Sequence, residues 1–268
     1  MLLYNSLRKQ YFHTTTIIKM TAIMLKQSLF IAFVCLSLCV SVTTGAQNAP
    51  AAATHHYNSW AAWFNNVKFS NKWGLNNDIQ LRVGESWNQG ALLLVRPGVN
   101  YYLKPNQTIT AGYAFTLSLN DLPSGQPRIG EHRIWEQYIF THKIGGVSVQ
   151  HRARLEQRFL QRPADADFFA QRARYFFRGI IPLTQPTSKP FARGLFASVQ
   201  NELFFNIQNK EKLNGKVFDQ NRAYASVGYR FSPKYDLELG YMYQFIERST
   251  GTPNTNNHIA QIAFYTRL

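Results

Sequence analysis

From Trp60 to its end the chain alternates with a period of two, and the polar side of that alternation is rich in arginine. Residues 148–162, SVQHRARLEQRFLQR, are the sharpest case. As a strand, this stretch puts Gln150, Arg152, Arg154, Glu156 and Arg158 on one face and Val149, His151, Ala153, Leu155, Gln157 and Phe159 on the other. As a helix, it scatters the same charges around the cylinder. Thr108 to Asn120 sets Ile109, Ala111, Tyr113, Phe115, Leu117 and Leu119 against Thr110, Gly112, Ala114, Thr116, Ser118 and Asn120. Asp219–Phe231, Tyr235–Phe245 and His258–Leu268 follow the same rule.

Such runs reach 11 to 16 residues. Strands of water-soluble domains average about 5–6 residues, whereas a tilted strand crosses a bilayer's hydrocarbon in about 9–11. Short connections (Asn71-Lys72, Lys104-Pro105-Asn106, Gly145-Gly146, Ser232-Pro233-Lys234) roughly alternate with long polar ones (Asn120 to Gly130, Gln161 to Asp167, Gln208 to Lys216, Ser249 to Asn257), with Thr184 to Lys189 intermediate. Barrels with short turns at one rim and long loops at the other show this rhythm. The segments that read as strands lie near 59–69, 74–84, 91–103, 108–119, 131–143, 147–160, 168–182, 191–206, 218–231, 235–248 and 258–268. Single-chain bacterial barrels have an even strand number. The expected fold is therefore an all-β, antiparallel, up-and-down transmembrane β-barrel of about twelve strands, with ten as the alternative.

The N-terminal region reads as an export signal. Lys26 precedes an apolar core from Ser28 to Val40, followed by the small residues of Ser41 to Ala46. That core is short of the ~20 residues a spanning helix needs. Residues 1–46 are the expected signal peptide, with Met24 an alternative start, 47–58 a flexible leader, and 59–268 the barrel domain. Both cysteines, Cys35 and Cys39, fall inside the signal, so a disulfide scaffold or cysteine-held metal is excluded from the mature chain.

In a membrane barrel the apolar face meets lipid and the polar face meets the lumen. Tyr101, Tyr113, Tyr229, Phe231, Tyr241, Tyr243 and Phe245 recur on the apolar side, where such rings form interfacial girdles. The lumen charge network is then Arg82, Arg96, Glu131, Arg133, Arg152, Arg154, Glu156, Arg158, Arg172, Arg174, Arg178, Glu202, Arg222, Arg230 and Glu238. Two readings stay open. These charges pair across the lumen and hold a plugged barrel closed, or the excess of arginine makes an electropositive pore for anions.

Several charged words recur in one known family: Glu131-His132-Arg133-Ile134-Trp135-Glu136-Gln137, His151-Arg152-Ala153-Arg154-Leu155-Glu156-Gln157-Arg158-Phe159, Asn201-Glu202-Leu203-Phe204-Phe205-Asn206 and Asp219-Gln220-Asn221-Arg222, supported by Arg96-Pro97-Gly98-Val99 and Gly240-Tyr241-Met242. Across about residues 59 to 268 the chain resembles the exported family termed domain of unknown function 2490. The resemblance implies an outer-membrane β-barrel of Gram-negative bacteria and carries no activity with it.

Catalytic constellations are sparse. His132, His142 and His151 fall in strands, and Ser118, Ser148, Ser198 and Ser226 are available, but spacing unites no Ser-His pair. His55-His56 lies in the leader. Glu131, Glu156 and Glu202 read better as salt-bridged acids than as an acid–base pair. No metal-ligand spacing and no cofactor motif is present. The net charge of +15 lies in alternating arginines rather than one basic block, which excludes a nucleic-acid partner. The expected protein is a monomer in the bacterial outer membrane, in contact with its lipid and lipopolysaccharide, with a small anionic solute as candidate cargo. It is a passive channel or a structural barrel. An outer-membrane enzyme of lipase or acyltransferase type and a soluble periplasmic ligand-binding barrel are the alternatives. N-terminal sequencing of the exported protein is expected to start at or just after Gln47; a start at Met1 or Met24 sinks the signal assignment.

Overall fold

The computed structural model describes residues 53–85, 91–119, 130–161, 166–184 and 190–268. The expected signal peptide and the first residues of the leader lie outside the described residues. Eleven strands are present among the described residues: β1 Thr54–Lys68, β2 Trp73–Val83, β3 Ala91–Lys104, β4 Gln107–Ser118, β5 Glu131–Ile144, β6 Val147–Leu160, β7 Phe168–Pro182, β8 Gly194–Gln208, β9 Phe218–Ser232, β10 Tyr235–Ile246 and β11 Thr255–Arg267. Each follows one of the eleven alternating segments. The turns between them are made by the residues that break strands; Gly145, in the two-residue turn between β5 and β6, takes a φ of 58° that suits such a tight hairpin.

Consecutive strands pair antiparallel, and β1 closes on β11 to form a barrel. That closing ladder is parallel, running from Thr54↔Thr255 to Asn66↔Arg267. The eleven strands among the described residues lie between the expected twelve and the alternative ten, and the parallel seam removes the need for an even number. The leader does not extend to residue 58: β1 starts at Thr54, and its first residues are held by pairing with β11 and by the stacking of His55 and Tyr57 on His258. Cross-strand partners outweigh the leader-like composition around them. Thr54 and Leu268 consequently lie at opposite rims. The long connections open on the Thr54 rim. The short turns, and the longer β7–β8 connection, open on the Leu268 rim.

The wall has two unlike faces. Leu239 and Val227 point outward, 67% and 58% exposed, while Glu156 and Glu238 point inward with no exposed surface. Tyr113, Ile134, Tyr175, Tyr241, Ile262 and Phe264 are also exposed outward. A few polar residues share the outer face and bond one another: Gln157 donates to Glu136 at 3.1 Å, and the Asn201 and Asn221 amides bond reciprocally. Inside, Leu94, Ala114 and Trp135 form one apolar patch, and Trp60, Tyr224, Met242 and Ile259 form another.

Trp135 fits because two facing glycines make room. Gly98 and Gly112 are cross-strand partners, and a Cβ on Gly98 meets the Trp135 ring at 2.7 Å. Gly98→Val forces that ring out of place, at a cost of about 1–3 kcal/mol for overpacking. The expected result is a lower unfolding midpoint in detergent, followed by circular dichroism; an unchanged midpoint removes Trp135 as a packing anchor.

Candidate functional site

The inward face of β6 and β7 organises the site. Glu156 stands directly opposite Arg172, and Arg154 opposite Arg174. Like charges placed opposite each other repel, so the Arg154–Arg174 pair requires carboxylates nearby. Glu156 and Glu202 supply them. Arg172 donates to Glu156 Oε2 from Nη2 at 2.7 Å and from Nε at 3.0 Å. Arg174 donates to Glu156 Oε1 at 2.5 Å and to Glu202 Oε1 from Nη2 at 2.6 Å. Arg152 donates to the same Glu202 oxygen at 2.7 Å. Arg96 reaches Glu156 at 4.0 Å and is paired with Asp78.

Smaller groups flank this centre. Toward the long-connection rim, Arg133 and Arg158 donate to Glu131 at 2.6 and 2.5 Å, and Arg172 reaches Asp219 at 3.1 Å. Toward the other rim, Arg230 makes a two-pronged contact with Asp236 at 2.8 and 2.9 Å, which Arg267 also joins. Arg178 on β7 pairs with Glu238 on β10 and donates to the Tyr265 hydroxyl at 2.6 Å; those strands are not neighbours, so these bonds cross the interior. Glu238 also accepts from Ser226 at 3.1 Å.

Aromatic faces carry much of the remaining charge. The Arg152 guanidinium lies 4.3 Å from the Phe176 ring centre, Arg154 4.7 Å from Trp135, and Arg174 4.4 Å from Phe204. Arg82 lies 4.1 Å from Trp60 and Arg222 5.2 Å from the same ring. Arg82 donates to Gln80 Oε1 at 3.1 and 2.7 Å. Of the sequence-derived charge set, Arg82 and Arg222 alone make no ion pair among the described residues; the others are joined as above, with Arg154 3.8 Å from Glu156.

Sequence reasoning missed Asp78, Asp219, Asp236 and Arg267. Asp78, Asp236 and Arg267 share the parity of Arg82, Glu238 and Tyr265 on their strands, so the signal was present. Asp219 was not readable in this way, because a register shift between Phe204 and Phe205 resets the parity of β9 there. Ser198 and Ser226 face inward and bond each other at 2.7 Å. The strand histidines face outward: His151 meets the Tyr175 hydroxyl at 2.8 Å, and His132 meets that of Tyr113. No serine–histidine bond forms among the described residues, and no group of His, Cys, Asp and Glu is arranged there to hold a metal ion.

A cavity of about 500 Å³ lies inside the barrel. Its wall combines Arg152, Arg154, Arg178 and Arg222 with Trp60, Phe176 and Tyr265 and with the amides of Gln80, Gln137, Gln150 and Gln200. It can therefore offer charge-assisted donors, neutral amides and ring faces to one guest.

An uncharacterised protein of Methylorubrum extorquens is 24% identical over 235 residues, which covers 86% of this chain and 95% of that protein. A solved structure described as the NanC porin matches with a TM-score of 0.44 and 11% identity, over 71% of this chain and 84% of its own. The family model "Protein of unknown function (DUF2490)" matches residues 57–256, and the chain belongs to that family.

Proposed function

We propose that the protein is an exported, monomeric barrel of the bacterial outer membrane whose arginine-lined interior is a narrow passage preferring small anions. One observation carries this reading: the wall is inverted relative to a water-soluble domain. Leu239 at 67% exposed and Glu238 at 0% are sequence neighbours on opposite faces. Exposing a continuous apolar wall to water is costly, at roughly 25 cal/mol per Å², and lipid removes that cost. Strands of 11 to 15 residues are long enough to cross the hydrocarbon, which takes about 9–11 when tilted. The Lys210–Lys212 turn and Lys216 lie at the long-connection rim, where cations suit the phosphates of lipopolysaccharide.

Charge sets the proposed preference. Four interior acids are shared: Glu156 and Glu202 each bind two arginines, as do Glu131 and Asp236. The interior therefore keeps a surplus of positive charge that favours anions. A second reading, a closed structural barrel, is favoured by the Arg178–Glu238 pair, which bridges non-adjacent strands.

Planar-bilayer recording separates these readings. The wild-type protein is expected to conduct, with a reversal potential in a KCl gradient that favours chloride. The double variant Arg152→Gln/Arg154→Gln is expected to shift that potential toward the cation side by at least several millivolts. No current in any state sinks the passage, and an unchanged reversal potential sinks the charge argument. Purification without detergent counts against the membrane location itself. Glu156→Gln is expected to lower stability by about 3–5 kcal/mol, the usual cost of stranding a buried charge, as read from the thermal midpoint.

A further inference from the structure

Three guanidinium groups on the cavity wall keep N–H groups that no carboxylate meets at hydrogen-bond distance, the nearest being Arg154 Nη1, 3.8 Å from Glu156. Arg154 is only 5% exposed. It commits Nε and Nη2 to Gln137 Oε1, at 3.1 and 2.6 Å, and its Nη1 has no hydrogen-bond partner among the described residues. Arg152 gives Nη2 to Glu202, while its Nε is likewise unpartnered among them. Arg222 has no carboxylate within ion-pair distance among them; Glu202, which lies in its field, is already bound by Arg152 and Arg174. Its guanidinium rests near the rings of Phe204 and Trp60, with Nε and Nη2 3.2 and 3.1 Å from the Gln244 side-chain amide.

Around Arg152 and Arg222 one attracting carboxylate, Glu202, is set against several repelling arginines. Arg96, Arg152 and Arg174 all act on Arg154 as repelling neighbours, against Glu156. Arg174, Arg172 and Arg96 act in the same way on Arg222. All three groups line one cavity of about 500 Å³. Buried donors and unmatched cations both gain from an anion that enters with its own acceptors. A guanidinium presents its N–H groups as a planar fork, which matches the paired oxygens of a carboxylate or phosphate better than a spherical halide.

We propose that Arg152, Arg154 and Arg222 form a binding subsite for a small oxyanion, a carboxylate or a phosphate, inside the barrel. The guest sits among the Arg152, Arg154 and Arg222 guanidinium groups that line the cavity and takes up the positive charge their carboxylates leave. Trp60 and Phe176, on the same wall, take the apolar side of the guest. This assignment rests on reading the interior as a solute passage, and it adds a stopping point with directional chemistry to a field that attracts any anion.

Isothermal titration of the full mature chain in detergent, with malonate and with inorganic phosphate as separate probes in constant sodium chloride, tests it. Saturable binding of malonate alone identifies a carboxylate subsite, and of phosphate alone a phosphate subsite; either result supports the proposal, as does binding of both. Arg154→Gln and Arg222→Gln are each expected to raise Kd at least tenfold. Arg193→Gln, at a side chain bonded to the Tyr229 hydroxyl at 3.3 Å outside the cavity, is expected to leave it unchanged. If a glutamine variant fails to fold, Arg154→Lys keeps the charge, removes the fork and is also expected to weaken binding. No saturable heat from either probe with folded wild-type protein overturns the subsite, and so does binding unaltered in both glutamine variants. Chloride current without probe binding overturns the subsite and leaves the passage standing. Probe binding without current supports the subsite and counts against the passage.

Discussion

Glu156 has no exposed surface, yet both its oxygens are hydrogen-bonded to guanidinium groups on the neighbouring strand. This shared carboxylate makes the rest of the interior possible. Burying a charge costs several kcal/mol unless partners replace its water. Here the partners are Arg172 and Arg174, both on β7, and Arg174 also stands opposite Arg154 across the β6–β7 ladder. Removing water from either sign alone is unfavourable; interleaving them lets a closed wall enclose both. The pattern repeats at Glu202, Glu131 and Asp236, so shared acids hold the inside together with single pairs such as Arg178–Glu238.

Aromatic rings and glycines complete what the acids begin. Where carboxylates run short, guanidinium faces lie near Trp60, Trp135, Phe176 and Phe204, which keep charge buried without neutralising it. Gly98 and Gly112 leave the space that Trp135 fills. The interior is thus neither a dry core nor a wide aqueous channel. Among the described residues it is a polar packing that leaves a cavity of about 500 Å³, lined by arginines, amides and rings.

Much of this could be read from residue order alone. Period two assigns each side chain to a face without any knowledge of partners, and the structure has the arginines of β6 and β7 on the same face as Glu156 and Glu202. Partner choice was less legible. Arg178 meets Glu238 only because the sheet curves until β7 and β10 face each other, and curvature leaves no trace in local periodicity. Asp219 escaped because a bulge interrupts the alternation that would have revealed it. The seam escaped for a different reason: His55, His56 and Tyr57 resemble a tether in composition, and only their register with β11 makes them strand.

That seam also shapes how the barrel can assemble. Every other ladder joins strands that are consecutive in the chain, so its ends are already near each other. The β1–β11 ladder joins residues about 200 positions apart, as in Thr54 with Thr255. Relative to a two-residue hairpin, bringing such distant segments together costs about 4 kcal/mol of loop-closure entropy. Parallel pairing then returns slightly less per residue than antiparallel pairing. The sheet can therefore zip from hairpin to hairpin as an open, curling ribbon, and its two edges meet last, which makes the line between β1 and β11 the natural place for the cylinder to part sideways.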